Sequence, residues 1–244
     1  MLPNIGFIDT YSVLIFIGVI VCFMLFWLFR KKHNISEKFT YDIFLLACVA
    51  IGVGILFAVG FQLLFDAIKG VIRGSAMTFY GGLVGGVATF IAGYFIVIKK
   101  MYKEANFLYD IMPIGPACIT VAHGFGRVGC FMAGCCYGVE TTSVFGVTFP
   151  GMSQSVYPTQ LFEAIFLFLL TAVLFYIAIK KRTPYNLSLY LFSYGVFRFL
   201  LEFLRGDDRG AYLLGLSPSQ WFSVIAIMTS IILTIILKRK MATK

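Results

Sequence analysis

Tyr11-Ser12-Val13-Leu14-Ile15-Phe16-Ile17-Gly18-Val19-Ile20-Val21-Cys22-Phe23-Met24-Leu25-Phe26-Trp27-Leu28-Phe29 carries no charged side chain, and Arg30-Lys31-Lys32 follows it directly. In lipid such a stretch satisfies its backbone polar groups as a helix, and roughly 20 residues at about 1.5 Å each cross a hydrocarbon core of about 30 Å. The stretch is longer than a signal-peptide core and has no basic segment before it, so it reads as a retained first span. Outward from it, apolar runs recur at 41–64, 78–98, 107–122, 160–179, 187–204 and 219–237. The expected fold is an all-α polytopic membrane protein of about seven transmembrane helices.

Composition agrees. Hydrophobic residues make up 60% of the chain and charged residues 13%, with a mean hydropathy of +0.91, against about 45–50% and about 25% in soluble domains. Spans of about 20 residues leave only loops between them, so residues 1–244 read as a single integral-membrane domain with the lipid bilayer as its first partner. The formal charge of +9 does not imply nucleic acid, because the basic residues gather at span ends. Arg30-Lys31-Lys32, Lys99-Lys100, Lys180-Lys181-Arg182 and Lys238-Arg239-Lys240 follow spans one, three, five and seven. By the positive-inside rule those ends are cytoplasmic, so the N-terminus is outside and connections 65–77, 123–159 and 205–218 face the outer side.

Two regions look irregular. Gly81-Gly82-Leu83-Val84-Gly85-Gly86 contains overlapping Gly-x-x-x-Gly spacings, which suit close helix packing or a backbone approach to a ligand. Pro113 and Pro116, followed by Gly124, Gly126 and Gly129, predict a broken or re-entrant element near the outer face.

Tyr194, Arg198, Glu202 and Arg205 are spaced four, four and three apart, which places them on one helical face. A charge at bilayer depth costs at least ~2.5–3.5 kcal/mol on insertion scales, so this face is either a structural Arg198–Glu202 pair or a ligand site. Two arginines against one glutamate favour an anion, and a planar guanidinium binds phosphate bidentately. Arg127 sits between Gly126 and Gly129, where backbone N–H groups and a guanidinium can converge on one anion. Pro158 suits a first helical turn, and Gln160 and Glu163 project from one side of it. Cys130, Cys135 and Cys136 lack the C-x-x-C geometry of common zinc and redox sites, so no metal is expected there and the cysteines read as packing residues.

Met77-Thr78-Phe79-Tyr80-Gly81-Gly82-Leu83, Gly126-Arg127-Val128-Gly129-Cys130-Phe131, Tyr157-Pro158-Thr159-Gln160-Leu161-Phe162-Glu163 and Tyr194-Gly195 with Arg198, Glu202 and Arg205 together resemble the prolipoprotein diacylglyceryl transferase family of bacterial membranes. The resemblance implies transfer of an sn-1,2-diacylglyceryl group from phosphatidylglycerol to the lipobox cysteine of a prolipoprotein, releasing glycerol phosphate, at the outer leaflet of the cytoplasmic membrane. It implies no cofactor. Arg127 and Arg198 match the family's functional arginines and Tyr11 a tyrosine of its first span. Gly81, Gly82, Gly126, Gly129, Gln160, Glu163, Tyr194, Glu202 and Arg205 are expected around the substrates.

The chain differs from the family's common pattern in having Tyr80 in place of a His, Cys130 and Ala133 in place of Asn, and Cys135 in place of Glu. The proton acceptor is therefore His123, four residues before Arg127, or Tyr80, or neither, since a free thiol already supplies some thiolate near neutrality. Other readings of the same residues are a homologue with a different acceptor, a membrane thiol oxidoreductase using the three cysteines, and a permease for an anionic solute.

Overall fold

A computed structural model describes residues 4–5, 8–69, 79–206 and 214–242. Met77, Thr78 and the side chain of Tyr80 lie outside the described residues. Strands β1 (Asn4–Ile5) and β2 (Ile8–Asp9) pair antiparallel and lead into α1 (Thr10–Lys32). Asp9 caps α1, accepting from the Ser12 backbone N at 2.8 Å and from its hydroxyl at 2.6 Å. These bonds hold the Asp9 carboxyl below the usual range.

Six helices among the described residues are long and apolar enough to cross a membrane: Thr10–Lys32, Glu37–Ile68, Gly81–Met101, Thr159–Lys181, Asn186–Leu204 and Pro218–Ala242. Their outward faces stay apolar. Phe16, Met24 and Leu28 on the first, Leu169, Val173 and Tyr176 on the fourth, and Ile225, Ile232 and Ile236 on the last are all exposed. Bands of this extent demand lipid, and the chain is a multi-pass membrane protein.

The fold divides into two compact units, Asn34–Asn106 and Met1–His33 with Phe107–Lys244. In the first, α2 (Glu37–Lys69) packs on α3 (Phe79–Gly93), which continues through a π-helical turn (Tyr94–Ile98) into α4 (Lys99–Met101). The glycine run is the seam between α2 and α3. A Cβ on Gly81 would lie 3.0 Å from the Phe57 carbonyl oxygen, and one on Gly82 3.3 Å from Ala58 Cβ. Of the two expectations for this run, close helix packing is what these contacts express.

The second unit contains α1, α5 (Phe107–Asp110), α6 (Gly115–Met132), α7 (Thr159–Lys181), α8 (Asn186–Leu201) and α9 (Pro218–Ala242). The fourth apolar run, 107–122, is expected to be broken or re-entrant near the outer face over Pro113, Pro116 and the glycines that follow. The break comes early in that run. Pro113 lies in the interruption between Asp110 and Gly115, Pro116 enters the first turn of α6, and α6 runs unbroken through Gly124, Gly126 and Gly129. These glycines admit neighbours: added Cβ atoms would meet Phe168 Cε1 at 2.7 Å, Ile15 Cδ1 at 3.3 Å and Tyr11 Cδ2 at 2.7 Å. The carbonyl of Pro113, freed by the break, accepts from buried Asn186 Nδ2 at 2.6 Å, which also donates to Leu174 O at 2.9 Å. That satisfies irregular backbone inside the protein, as a membrane requires.

Helix α6 lies between α1 and α7. Thr171 donates to Thr120 at 2.8 Å across α6 and α7, and Ser230 to the Ser188 carbonyl at 2.7 Å across α8 and α9. The polar face expected over Tyr194, Arg198, Glu202 and Arg205 ends sooner than its spacing suggests. After Leu201 the chain tightens into a 3-10 turn, Glu202–Leu204, and Arg205 is extended, in a β-bridge with Gly138. Arg205 thus leaves the face shared by the other three.

Candidate active site

The polar side chains of the second unit gather near the beginnings of α1, α7 and α9, away from the basic ends Arg30–Lys32, Lys180–Lys181 and Arg239–Lys240. Glu163, one turn into α7 and fully buried, is the hub. Its Oε1 accepts from the Tyr194 hydroxyl of α8 at 2.8 Å. Its Oε2 lies 3.1 Å from Arg127 Nε of α6, and its Oε1 lies 3.6 Å from His123 Nε2. Residues 123 and 127 share a face because α6 is helical through both. Arg127 Nε donates to His123 Nε2 at 3.2 Å, and the His123 ring meets Tyr194 edge-on at 5.4 Å. As acceptor of that bond, Nε2 is unprotonated in this arrangement, which puts the ring proton on Nδ1.

Arg198 forms the second centre. Its Nη2 pairs with Glu202 Oε2 at 2.7 Å and donates to the Ser219 hydroxyl at 3.1 Å. Glu202 Oε1 accepts from the Ser217 hydroxyl at 2.7 Å. Ser217 and Gln220 form a reciprocal cap at the start of α9: Gln220 N donates to Ser217 Oγ at 3.2 Å and Ser217 N to Gln220 Oε1 at 3.0 Å. Tyr194 and Arg198 stand one turn apart on α8, so the two centres adjoin.

Each arginine is only partly used. Arg127 engages its neighbours through Nε, and its terminal amino groups make no hydrogen bond among the described residues. Arg198 Nη1 is buried without a partner among them. Two guanidinium edges thus remain able to donate, while the carboxylates Glu163 and Glu202 hold the opposite edges and fix their direction. An oxyanion with several acceptor oxygens matches that set of donors.

The loop between α6 and α7 closes one side. Gln160 Nε2 donates to the Cys135 carbonyl and Thr159 Oγ1 to the Cys136 carbonyl at 3.0 Å. Gly138 N donates to Tyr157 O at 2.8 Å, and Val139 N to Leu204 O at 2.9 Å. A Cβ at Gly138 would lie 2.8 Å from Thr159 Cγ2 and 2.9 Å from Tyr157 Cβ and would also collide with the Leu204 carbonyl. Arg205 lies near the Cys136 thiol. The Tyr11 ring packs on Gly129, three residues beyond Gly126 and two beyond Arg127.

Among the residues expected from sequence, the structure thus joins His123, Arg127, Glu163, Tyr194, Arg198 and Glu202, with Tyr11, Gly126, Gly129, Gln160 and Arg205 on adjoining backbone. Tyr80, Gly81 and Gly82 belong to the other unit, where the two glycines face α2. Glu163 proves more central than a position beside the substrate, and Ser217, Ser219 and Gln220 had not been singled out. The Ser-Pro-Ser-Gln run at 217–220, a capping box with proline in the first turn, was the signal for these.

A family profile described as prolipoprotein diacylglyceryl transferase matches residues 2–236. A phosphatidylglycerol–prolipoprotein diacylglyceryl transferase of Clostridium tetani is 34% identical over 235 residues, covering 91% of this chain and 90% of the relative. One from Finegoldia magna is 32% identical over 241 residues, covering 94% and 91%. A third, from Clostridium perfringens, is 38% identical over 173 residues, covering 68% and 64%. The chain belongs to the prolipoprotein diacylglyceryl transferase family.

Proposed function

We propose that the chain transfers a diacylglyceryl group from phosphatidylglycerol to the cysteine thiol of a prolipoprotein lipobox, at the outer leaflet of a bacterial cytoplasmic membrane. The observation that carries this reading is the pair of carboxylate-tethered arginines, Arg127 and Arg198, each with donors left over for phosphate. The thiol sulfur attacks the glyceryl carbon that bears the phosphate ester, a C–S bond forms, and the C–O bond to phosphate breaks. The thiol loses its proton, and the departing glycerol phosphate passes from a singly charged diester to a doubly charged monoester. Charge therefore grows on the oxygens the guanidinium groups face, and fixed donors in a water-poor site stabilise that transition state more than the bound lipid.

His123 is the proposed proton acceptor through Nε2. At rest Arg127 occupies that nitrogen. A phosphate that draws the guanidinium toward itself would free the lone pair only when the lipid is in place. Tyr80 is the alternative acceptor, and Tyr11, Gly81, Gly82, Gln160 and Arg205 are proposed around the two substrates by their match to the family's segments. The outer-leaflet reading is supported by the gathering of these side chains away from the basic helix ends, which the positive-inside rule puts on the cytoplasmic side.

The test is mass spectrometry of a lipobox peptide incubated with the purified protein and phosphatidylglycerol vesicles. The expected product is a peptide carrying a diacylglyceryl thioether, with one glycerol phosphate released per event. No thioether under conditions where the Clostridium tetani relative makes one overturns the proposal. Labelling of exposed Cys135 by a membrane-impermeant thiol reagent on intact cells tests the leaflet.

A further inference from the structure

The Sγ atoms of Cys130, Cys135 and Cys136 all lie within 4.8 Å of one another, and all three cysteines are free. The spacing C-x4-C-C seemed unsuited to a shared site, and the fold supplies the reason it works. Helix α6 ends in a Schellman turn: Cys135 N bonds to Cys130 O at 3.1 Å and Gly134 N to Phe131 O at 3.1 Å, with Gly134 left-handed at φ 69°. That turn folds residue 135 back over residue 130. Cys136 is itself left-handed at φ 64°, a conformation a non-glycine residue adopts at a cost of roughly 1–2 kcal/mol, and its thiol joins the other two instead of diverging from its neighbour.

We propose that these three thiols form a binding site for a thiophilic divalent cation of the zinc class, with its fourth position open to water. Metal–sulfur bonds of about 2.3 Å set sulfur–sulfur separations of about 3.8–4.0 Å, so binding asks each thiol to move by less than about 1 Å. Charge fits as well. Three thiolates around a divalent ion leave a single negative charge, and the Arg205 guanidinium lies near Cys136. Cys135 is exposed and the other two are half-buried, which leaves a way in for the ion and a place for water. Backbone carbonyls of Cys135 and Cys136 hold Gln160 and Thr159 on α7, so an ion here would stiffen the loop next to Glu163. The test reads metal binding directly and does not depend on transfer activity, so either reading can fail without the other.

Reduced full-length protein in detergent, kept anaerobic, is titrated with Cd2+, whose thiolate complexes absorb in the ultraviolet. The expected result is one equivalent bound with a thiolate-to-metal charge-transfer band, and competition by Zn2+. Cys130→Ser, Cys135→Ser and Cys136→Ser should each weaken binding roughly 10- to 100-fold or more, whereas Cys48→Ser leaves it unchanged. Should the variants fold poorly, the unaltered protein gives the same answer: Zn2+ should protect Cys130, Cys135 and Cys136 from alkylation, read by peptide mass spectrometry, while Cys48 stays reactive. No charge-transfer band, a band that survives in the triple Ser variant, or unprotected thiols at saturating Zn2+ each overturn the proposal.

Discussion

Glu163→Gln isolates the role of charge at the hub of the site. The amide has the carboxylate's shape and can turn its oxygen toward Arg127 while its NH2 donates to the Tyr194 oxygen and faces His123 Nε2. The contacts can all be kept, and what is lost is the negative charge opposite Arg127. Breaking a buried ion pair from one side costs about 3–5 kcal/mol. The Arg127 side chain retains 18% exposure and keeps its hydrogen bond to His123, which points to the lower end, about 3 kcal/mol. At roughly 2–4 °C per kcal/mol for a chain of this size, the apparent unfolding midpoint should fall by roughly 6–12 °C. The assay is thermal unfolding in detergent at fixed scan rate, with Arg127→Met/Glu163→Gln as the companion. If the penalty comes from a stranded cation, the double variant is more stable than Glu163→Gln alone. A midpoint within about 2 °C of the unaltered protein, or a double variant less stable than the single, would refute the reasoning.

Arg127→Lys and Arg198→Lys each keep the charge but lose the planar fork, and kcat for thioether formation should fall about 100-fold or more in both; near-normal rates would make the arginines structural. Glu202→Gln should lower the yield of folded protein in size-exclusion chromatography more than the turnover of what folds, because it strands Arg198. His123→Ala should reduce kcat by about 100-fold, within the usual range for a lost general base, and should cost more than Tyr80→Phe; the reverse order in a peptide-transfer assay would move the proton to the tyrosine. Gly138→Ala drives a methyl into the Leu204 carbonyl and Thr159, which backbone cannot yield cheaply, and should destabilise the protein by about 1–3 kcal/mol in thermal unfolding.

Hydropathy and basic clusters sufficed for the helical membrane architecture, since length and charge are what lipid selects for. They ended the fourth run at 122, because an apolar window falls off at His123 and the glycines, whereas α6 starts after Pro113 and continues to Met132. Arg127, Arg198 and the i, i+4 partners His123 and Glu202 were legible, being fixed by helical spacing. The central place of Glu163 was not, as it depends on α7 lying against α6 and α8, a long-range fact. Arg205 shows the opposite failure: its spacing fitted the helix face, but the 3-10 turn at Glu202–Leu204 turned it toward Cys136.

Ser217 shows how a helix terminus can restrict its own vocabulary. Serine, threonine, aspartate and asparagine ordinarily substitute for one another at such positions, since all that is required is an acceptor for the N–H groups of the first turn. Here the same oxygen must take a proton from Gln220 N and give one to Glu202 Oε1. Aspartate, ionised, can only accept, and would set two carboxylates face to face beside Arg198. Threonine meets both demands with a hydroxyl. The amino acid at the beginning of α9 is thus chosen by the carboxylate across from it, and drift at this terminus is confined to hydroxyl side chains for as long as Glu202 stands opposite Arg198.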